Sequence, residues 1–228
     1  MPILTDENIV SQCLPFSHLL NDEQKEIIEK NINVVKYKKK DVIFKQNTRT
    51  SHLIFIKSGL VKIFKEGKND RVIILKISNP ESFIGLMSVF GDNLHQYSAE
   101  AITDAEICDL DLRLFKSILL ENSNYSLNLL KIISTEGLFI FDRLLGLSHK
   151  QLPGRIADVI LYFSEDIFKT DNFVFPFTRK ELADFAGTTK ESFIRTLTEF
   201  KNDKIIDIDG ANISVNSKDI IKTLSELG

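Results

Sequence analysis

Phe177-Thr178-Arg179-Lys180-Glu181-Leu182-Ala183-Asp184-Phe185-Ala186-Gly187-Thr188-Thr189-Lys190-Glu191-Ser192-Phe193-Ile194-Arg195-Thr196-Leu197 reads as two short helices joined by a tight turn. Thr178 and Glu181 have capping-box spacing, so the threonine oxygen and the glutamate carboxylate can satisfy backbone donors at a helix start. Gly187 supplies the turn, Thr188 or Thr189 can cap the second helix, and Phe193, Leu197 and Phe200 recur at helical spacing on one apolar stripe. Lys190, Glu191 and Arg195 fall off that stripe near the start of the second helix. A recognition helix meets base edges in the major groove from this position. Arginine can donate twice to guanine O6 and N7, and glutamate can accept from cytosine N4. Thr178, Arg179, Thr188, Thr189, Ser192 and Thr198 suit contacts to the DNA backbone.

A solvated helical hairpin is the alternative for these residues, since Lys and Glu are common on exposed helices. The next segment of chain weighs against it. Ile205-Ile206-Asp207-Ile208, Asp209-Gly210 and Ile213-Ser214-Val215 carry a hairpin signal, which would add a wing.

Upstream, Leu152-Pro153-Gly154 breaks one helical pattern before another runs from Arg155 to Phe163. From about Asn124 to Ser148 the apolar residues follow a seven-residue repeat, with Leu130, Gly137 and Leu144 on one line and Ile133, Ile140 and Leu147 on the other. This is a candidate dimer helix. An amphipathic helix packed on its own chain is the other reading, because periodicity does not name the partner. Gly137 costs helix propensity, so it marks the close approach of another backbone or a ligand, or else a tolerated accident.

Between Val34 and Asp111 short β-rich runs alternate with turn residues, among them Leu53-Ile54-Phe55-Ile56, Leu60-Val61-Lys62-Ile63-Phe64 and Val72-Ile73-Ile74-Leu75. Evenly spaced short strands imply a small sandwich or barrel. Asn21 or Asp22 is a plausible cap for a short helix ahead of them. The lysines at 36, 38, 39 and 40 read as a solvated strand edge. The expected parts are residues 1–122, 123–148 and 149–228.

The 228 residues carry a formal net charge of −3, so any DNA contact must be local, since bulk affinity for DNA comes from neutralising phosphates. No apolar run approaches the roughly 18–20 residues of a membrane span, and Met1-Pro2-Ile3-Leu4-Thr5-Asp6 has no basic run ahead of an apolar stretch, which predicts a cytoplasmic protein without membrane contact. Cys13 and Cys108 lie far apart without CxxC spacing. They are expected to be plain buried thiols, not a disulfide framework, a zinc site or an iron–sulfur site. His18, His52, His95 and His149 are scattered, and no GxSxG, P-loop or HExxH is present, so neither a catalytic nor a metal site is expected. That weighs against an enzyme of the cupin type.

Thr178 through Gly187, Lys190 through Arg195 and the subsequent Ile205-Ile206 resemble the winged-helix signature of the cyclic-AMP receptor protein/FNR family. Ile56-Lys57-Ser58-Gly59-Leu60-Val61 and Gly154-Arg155-Ile156-Ala157 resemble its other parts in the same order. The resemblance implies an α+β architecture with an N-terminal β-roll (a double-stranded jelly-roll, cyclic-nucleotide-binding-like), a long dimerisation helix and a C-terminal winged helix-turn-helix. It also implies a homodimer on a palindromic double-stranded operator, RNA polymerase as a further partner, and base reading by Lys190, Glu191 and Arg195. Members that bind cyclic AMP use Gly-Glu, Arg-Ser and Thr-Ser pairs, and the matching positions here are Gly85-Leu86, Tyr97-Ser98 and roughly Ile140-Phe141. Met87 and Ala99 complete this effector pocket. Without the arginine and the glutamate the expected effector is an unknown small molecule other than cyclic AMP, and a protein that needs no effector stays open. A haem sensor using His95 and a regulatory subunit without DNA binding are the alternatives.

Overall fold

The protein is described from a computed structural model over residues 9–67 and 72–228. It divides into two compact units, residues 1–66 with 77–137 and residues 67–76 with 138–228.

The first unit begins with α1 (Ile9–Cys13) and α2 (Asp22–Asn31). Asn21 is the residue that caps α2: its side chain accepts from the Gln24 amide at 2.8 Å while Gln24 Oε1 accepts from the Asn21 amide at 3.2 Å. Eight strands come next: β1 (Ile32–Tyr37), β2 (Val42–Phe44), β3 (His52–Ser58), β4 (Val61–Glu66), β5 (Val72–Ser78), β6 (Ser82–Ile84), β7 (Ser98–Ala101) and β8 (Ala105–Asp111), with α3 (Leu86–Phe90) between β6 and β7. They form two four-stranded sheets ordered β1-β8-β3-β6 and β2-β7-β4-β5, which is the expected β-roll. Gly59, at φ +86°, makes the turn from β3 to β4, and a Cβ there would stand 2.4 Å from the Asp104 carbonyl oxygen. Only glycine fits. The lysine-rich β1–β2 corner is exposed and ion-paired, with Lys38 2.8 Å from Asp104.

The core of this unit joins Leu53 and Phe55 of β3, Phe83 of β6, Leu110 of β8 and, from the helices beyond β8, Phe115, Tyr125 and Leu129. Phe55 and Phe83 meet edge to face at 5.2 Å, as do Phe115 and Tyr125 at 6.1 Å, a geometry that adds to simple area burial. α4 (Leu112–Glu121) starts on Asp111, whose carboxylate accepts from the Arg113 and Leu114 amides. α5 runs unbroken from Ser123 to His149 and starts where the Asn122 side chain accepts from the Tyr125 amide at 3.0 Å. The boundary between the two units falls within this helix, at Gly137 and Leu138.

Cys13 and Cys108 depart from expectation. They form a disulfide with Cα atoms 5.7 Å apart, joining α1 to β8. Wide separation along the chain conceals the pair, because β8 lies centrally in its sheet and the short N-terminal helix packs over the same core.

The second unit holds the rest of α5, then α6 (Leu152–Leu161), a π-helical turn (Tyr162–Ile167), β9 (Asn172–Val174), α7 (Arg179–Phe185), α8 (Lys190–Asn202), the hairpin β10 (Ile206–Asp209) and β11 (Asn212–Val215), and α9 (Lys218–Leu227). β9 completes a sheet ordered β10-β11-β9, and α9 lies on α6. Both are additions to the elements expected from sequence. Phe163, Phe173, Phe175, Phe177 and Phe185 build the core beneath α7. Among the described residues no helix is long and apolar enough to cross a membrane.

Protein purified without reductant and then denatured should yield no titratable thiol. Reduction, or Cys13→Ser, should lower stability by about 2–4 kcal/mol, as loss of a disulfide closing a long loop does. Two free thiols in the unreduced protein would contradict the pairing.

Candidate nucleic-acid interface

The two-helix stretch folds as its capping residues dictate. Thr178 caps α7, accepting from the Glu181 amide, and the Glu181 carboxylate accepts from the Thr178 amide at 3.0 Å. Gly187 takes φ +62°, and Thr188 donates its amide back to the Ala183 carbonyl at 2.9 Å. Of the two candidate caps, Thr189 caps α8, accepting from the Ser192 amide at 3.2 Å. Phe193, Thr196, Leu197 and Phe200 bury one side of α8. The other side leaves Lys190, Glu191, Ile194, Arg195, Thr198 and Glu199 exposed.

Lys190, Glu191 and Arg195 make no side-chain hydrogen bond or ion pair among the described residues, so their charged ends are available to a ligand. Glu191 and Arg195 are one turn apart, yet they do not pair with each other. Thr188 and Ser192 are partly buried at the turn, where Ser192 Oγ accepts from the Thr189 hydroxyl at 3.1 Å. The Thr198 hydroxyl donates to the Ile194 carbonyl at 2.9 Å. Thr178, at the start of α7, is exposed.

Arg179 is placed differently from these residues. Its Nη2 donates to the Gly210 carbonyl at the tip of the β10–β11 hairpin, and its guanidinium lies 5.9 Å over the Phe175 ring. Burial lowers its pKa from the ordinary value. The side chain therefore ties the start of α7 to the wing. The wing itself is acidic, with Asp207 and Asp209 exposed, and Lys201 donates to the Ile208 carbonyl at 2.9 Å.

The turn between the helices is fastened from behind. Arg143 of α5 donates to the Phe185 carbonyl, with its guanidinium 4.0 Å over the Phe185 ring. Burial pulls its pKa down to about 10. Arg155 of α6 donates to the Gly187 carbonyl at 3.1 Å.

In the first unit, the residues expected to line an effector pocket are closely packed. Leu86, Ser98 and Ala99 are buried, and Met87 is partly so. The Gly85 amide, at φ +83°, donates to the Tyr97 hydroxyl at 3.2 Å. Burial and the Glu136 carboxylate push the Tyr97 hydroxyl well above the usual tyrosine range, so it stays neutral. His95 stacks on Phe44 at 3.8 Å with its Nδ1 lacking a hydrogen-bond partner. Burial lowers its pKa and keeps the ring neutral. Among the described residues no cluster of His, Cys, Asp and Glu could hold a metal ion.

Residues 34–122 match the family described as Cyclic nucleotide-binding domain, and residues 154–222 match the Crp-like helix-turn-helix domain. The chain belongs to the CRP/FNR family. It is 21% identical over 196 residues to the CRP-like cAMP-activated global transcriptional regulator of Mycobacterium tuberculosis, covering 84% of this chain and 88% of that one. It is 23% identical to the transcriptional activator protein Anr of Pseudomonas protegens, covering 92% and 87%. Among solved structures, FixK2 from Bradyrhizobium japonicum shares the fold with a TM-score of 0.78 at 20% identity, covering 85% of this chain and 96% of that one. A putative CRP/FNR-family regulator from Eubacterium rectale matches with a TM-score of 0.78 at 19% identity, covering 93% and 98%. The chain is thus a CRP/FNR-type transcription regulator with a helix-turn-helix DNA-binding domain.

The heptad positions of this CRP/FNR chain divide. Leu130, Ile140 and Leu144 are exposed, and a Cβ on Gly137 would meet nothing within 4 Å. Ile133 instead packs on the β-roll core, and Leu147 stands 2.7 Å from where a Gly187 Cβ would be. Phe141, expected in the effector pocket together with Ile140, is 65% exposed, as are Leu138 and Leu145 to similar degrees. Burial, not spacing, separates these roles.

Arg179→Ala should weaken DNA binding to all sequences while leaving the slope of log affinity against log salt unchanged, because the residue ties protein to protein. A phosphate contact would instead take about one unit from that slope. Titrations at four salt concentrations decide between them.

Proposed function

We propose that this CRP/FNR protein binds an inverted-repeat operator in double-stranded DNA as a homodimer and reads base edges with Lys190, Glu191 and Arg195. The observation that carries this reading is the start of α8. Three side chains with base-reading chemistry stand exposed and unpartnered on one helix whose opposite face is locked into the core. Thr178, Thr188, Thr189, Ser192 and Thr198 surround them as phosphate anchors, and Arg179 acts through the wing. Two copies join along the exposed stripe of α5, where Leu130, Ile140, Phe141 and Leu144 flank the open surface of Gly137. These exposed side chains are large and apolar, and extensive apolar surface of that kind marks a contact with another chain. Two-fold symmetry then sets half-sites about one helical turn apart, 10–10.5 base pairs.

The effector is a small molecule other than cyclic AMP. Leu86 cannot accept from a ribose hydroxyl, and no arginine stands at Tyr97 to neutralise a cyclic phosphate. The Gly85 amide that could face an anion already donates to Tyr97. RNA polymerase is the natural further partner of a regulator of this kind, and the cytoplasm its site of action.

Selection from a random DNA pool tests the reading. The wild type should recover an inverted repeat with a G·C pair in each half-site. Arg195→Ala should bind about 1–3 kcal/mol more weakly and lose the preference at that pair. Identical recovered motifs would remove Arg195 from base reading, and a pool with no motif at all would favour a regulatory subunit that does not bind DNA. Leu144→Glu should give monomers by sedimentation with operator affinity lost, since a buried unpaired charge at the seam costs several kcal/mol.

A further inference from the structure

Ile194 is an aliphatic side chain, 39% exposed, on a face of α8 that is otherwise polar or charged. Phe193, Thr196, Leu197 and Phe200 do the packing for this helix. Ile194 lies four residues after Lys190, three after Glu191, one before Arg195 and four before Thr198. At 3.6 residues per turn this puts it inside the arc that those side chains define. The hydroxyl of the next turn, Thr198, is engaged by the Ile194 carbonyl at 2.9 Å.

A single exposed isoleucine is ordinary on a protein surface. Its neighbours make this one informative. When the arc enters a major groove, Ile194 is desolvated against base edges, and most of those edges present donors or acceptors that an alkyl group would leave unpaired at a cost. The exception is the C5-methyl group of thymine, an apolar projection into the groove.

We propose that Ile194 is a specificity-determining residue that packs on a thymine C5-methyl group, so that each half-site carries a T·A pair beside the G·C pair read by Arg195. The inference rests on α8 being the base-reading helix. Replacing thymine by deoxyuracil deletes that methyl group and leaves base pairing intact. In the operator recovered by selection, each thymine is replaced in turn and affinity is measured for the wild type, Ile194→Ala and Ile194→Val.

One replacement per half-site should weaken wild-type binding about threefold to fivefold, the worth of one buried methyl group. Ile194→Ala should show no loss at that position while keeping the G·C preference, and Ile194→Val should keep most of the sensitivity. No sensitive thymine in the wild type, or equal sensitivity in Ile194→Ala, would overturn the assignment while leaving the operator reading intact. Selection that recovers no motif would overturn both.

Discussion

Two arginines hold the carbonyls on either side of the helix-turn-helix bend, and the setting of α8 behind that bend depends on their grip. The last carbonyls of a helix have no partner within it. Arg143 of α5 supplies one for Phe185, and Arg155 of α6 supplies one for Gly187. Leu147 fills the space that a side chain at Gly187 would need. The end of α7, and with it the Thr189 cap that starts α8, is thereby fixed against the second half of α5. Moving α7 away would break the Arg143 hydrogen bond to the Phe185 carbonyl and part the guanidinium from the Phe185 ring.

The β-roll satisfies its own polar groups in a similar way. In a cyclic-nucleotide-binding fold the glycine amide at Gly85 and the position of Tyr97 are where an anion would be expected, and here each serves the other through one hydrogen bond. Tyr97 brings a neutral hydroxyl to this place, with the Glu136 carboxylate near enough to raise its pKa further. The stacked, neutral His95 extends the same apolar lining with Phe44. A family match to a nucleotide-binding domain describes the scaffold, and inside it the Gly85 amide and the Tyr97 hydroxyl are bonded to each other.

Local signals in the sequence are legible where local chemistry decides the structure. Thr178, Glu181, Gly187 and Thr189 each act within four residues of themselves, and every one takes the role that its type and spacing imply. The strands are readable for the same reason, as short β-branched runs between turns. Contacts between distant segments are not. Cys13 and Cys108 pair across 95 residues, Arg179 reaches 31 residues to Gly210, and nothing in either neighbourhood points to the other. The heptad in α5 shows the limit most clearly. Spacing marks Ile133 and Leu147 together with Leu130 and Leu144, but the fold gives the first pair partners within the chain and leaves the second pair exposed. Periodicity identifies an apolar stripe and not what covers it.

The charge around the recognition helix shapes how such a surface can work. Lys190 and Arg195 share their neighbourhood with Glu191 and Glu199, the wing carries Asp207 and Asp209, and the chain as a whole is at −3. Sequence-independent affinity grows with the number of phosphates neutralised, so carboxylates beside the basic side chains of this face reduce what it draws from that source. On the proposed reading, discrimination rests on contacts that only the right bases complete: a bidentate fork, an accepted cytosine amine, a covered methyl group. Each of these fails if the helix sits a fraction of an ångström out of register. The arginine grip behind the turn and the Arg179 tie to the wing both act against such a shift.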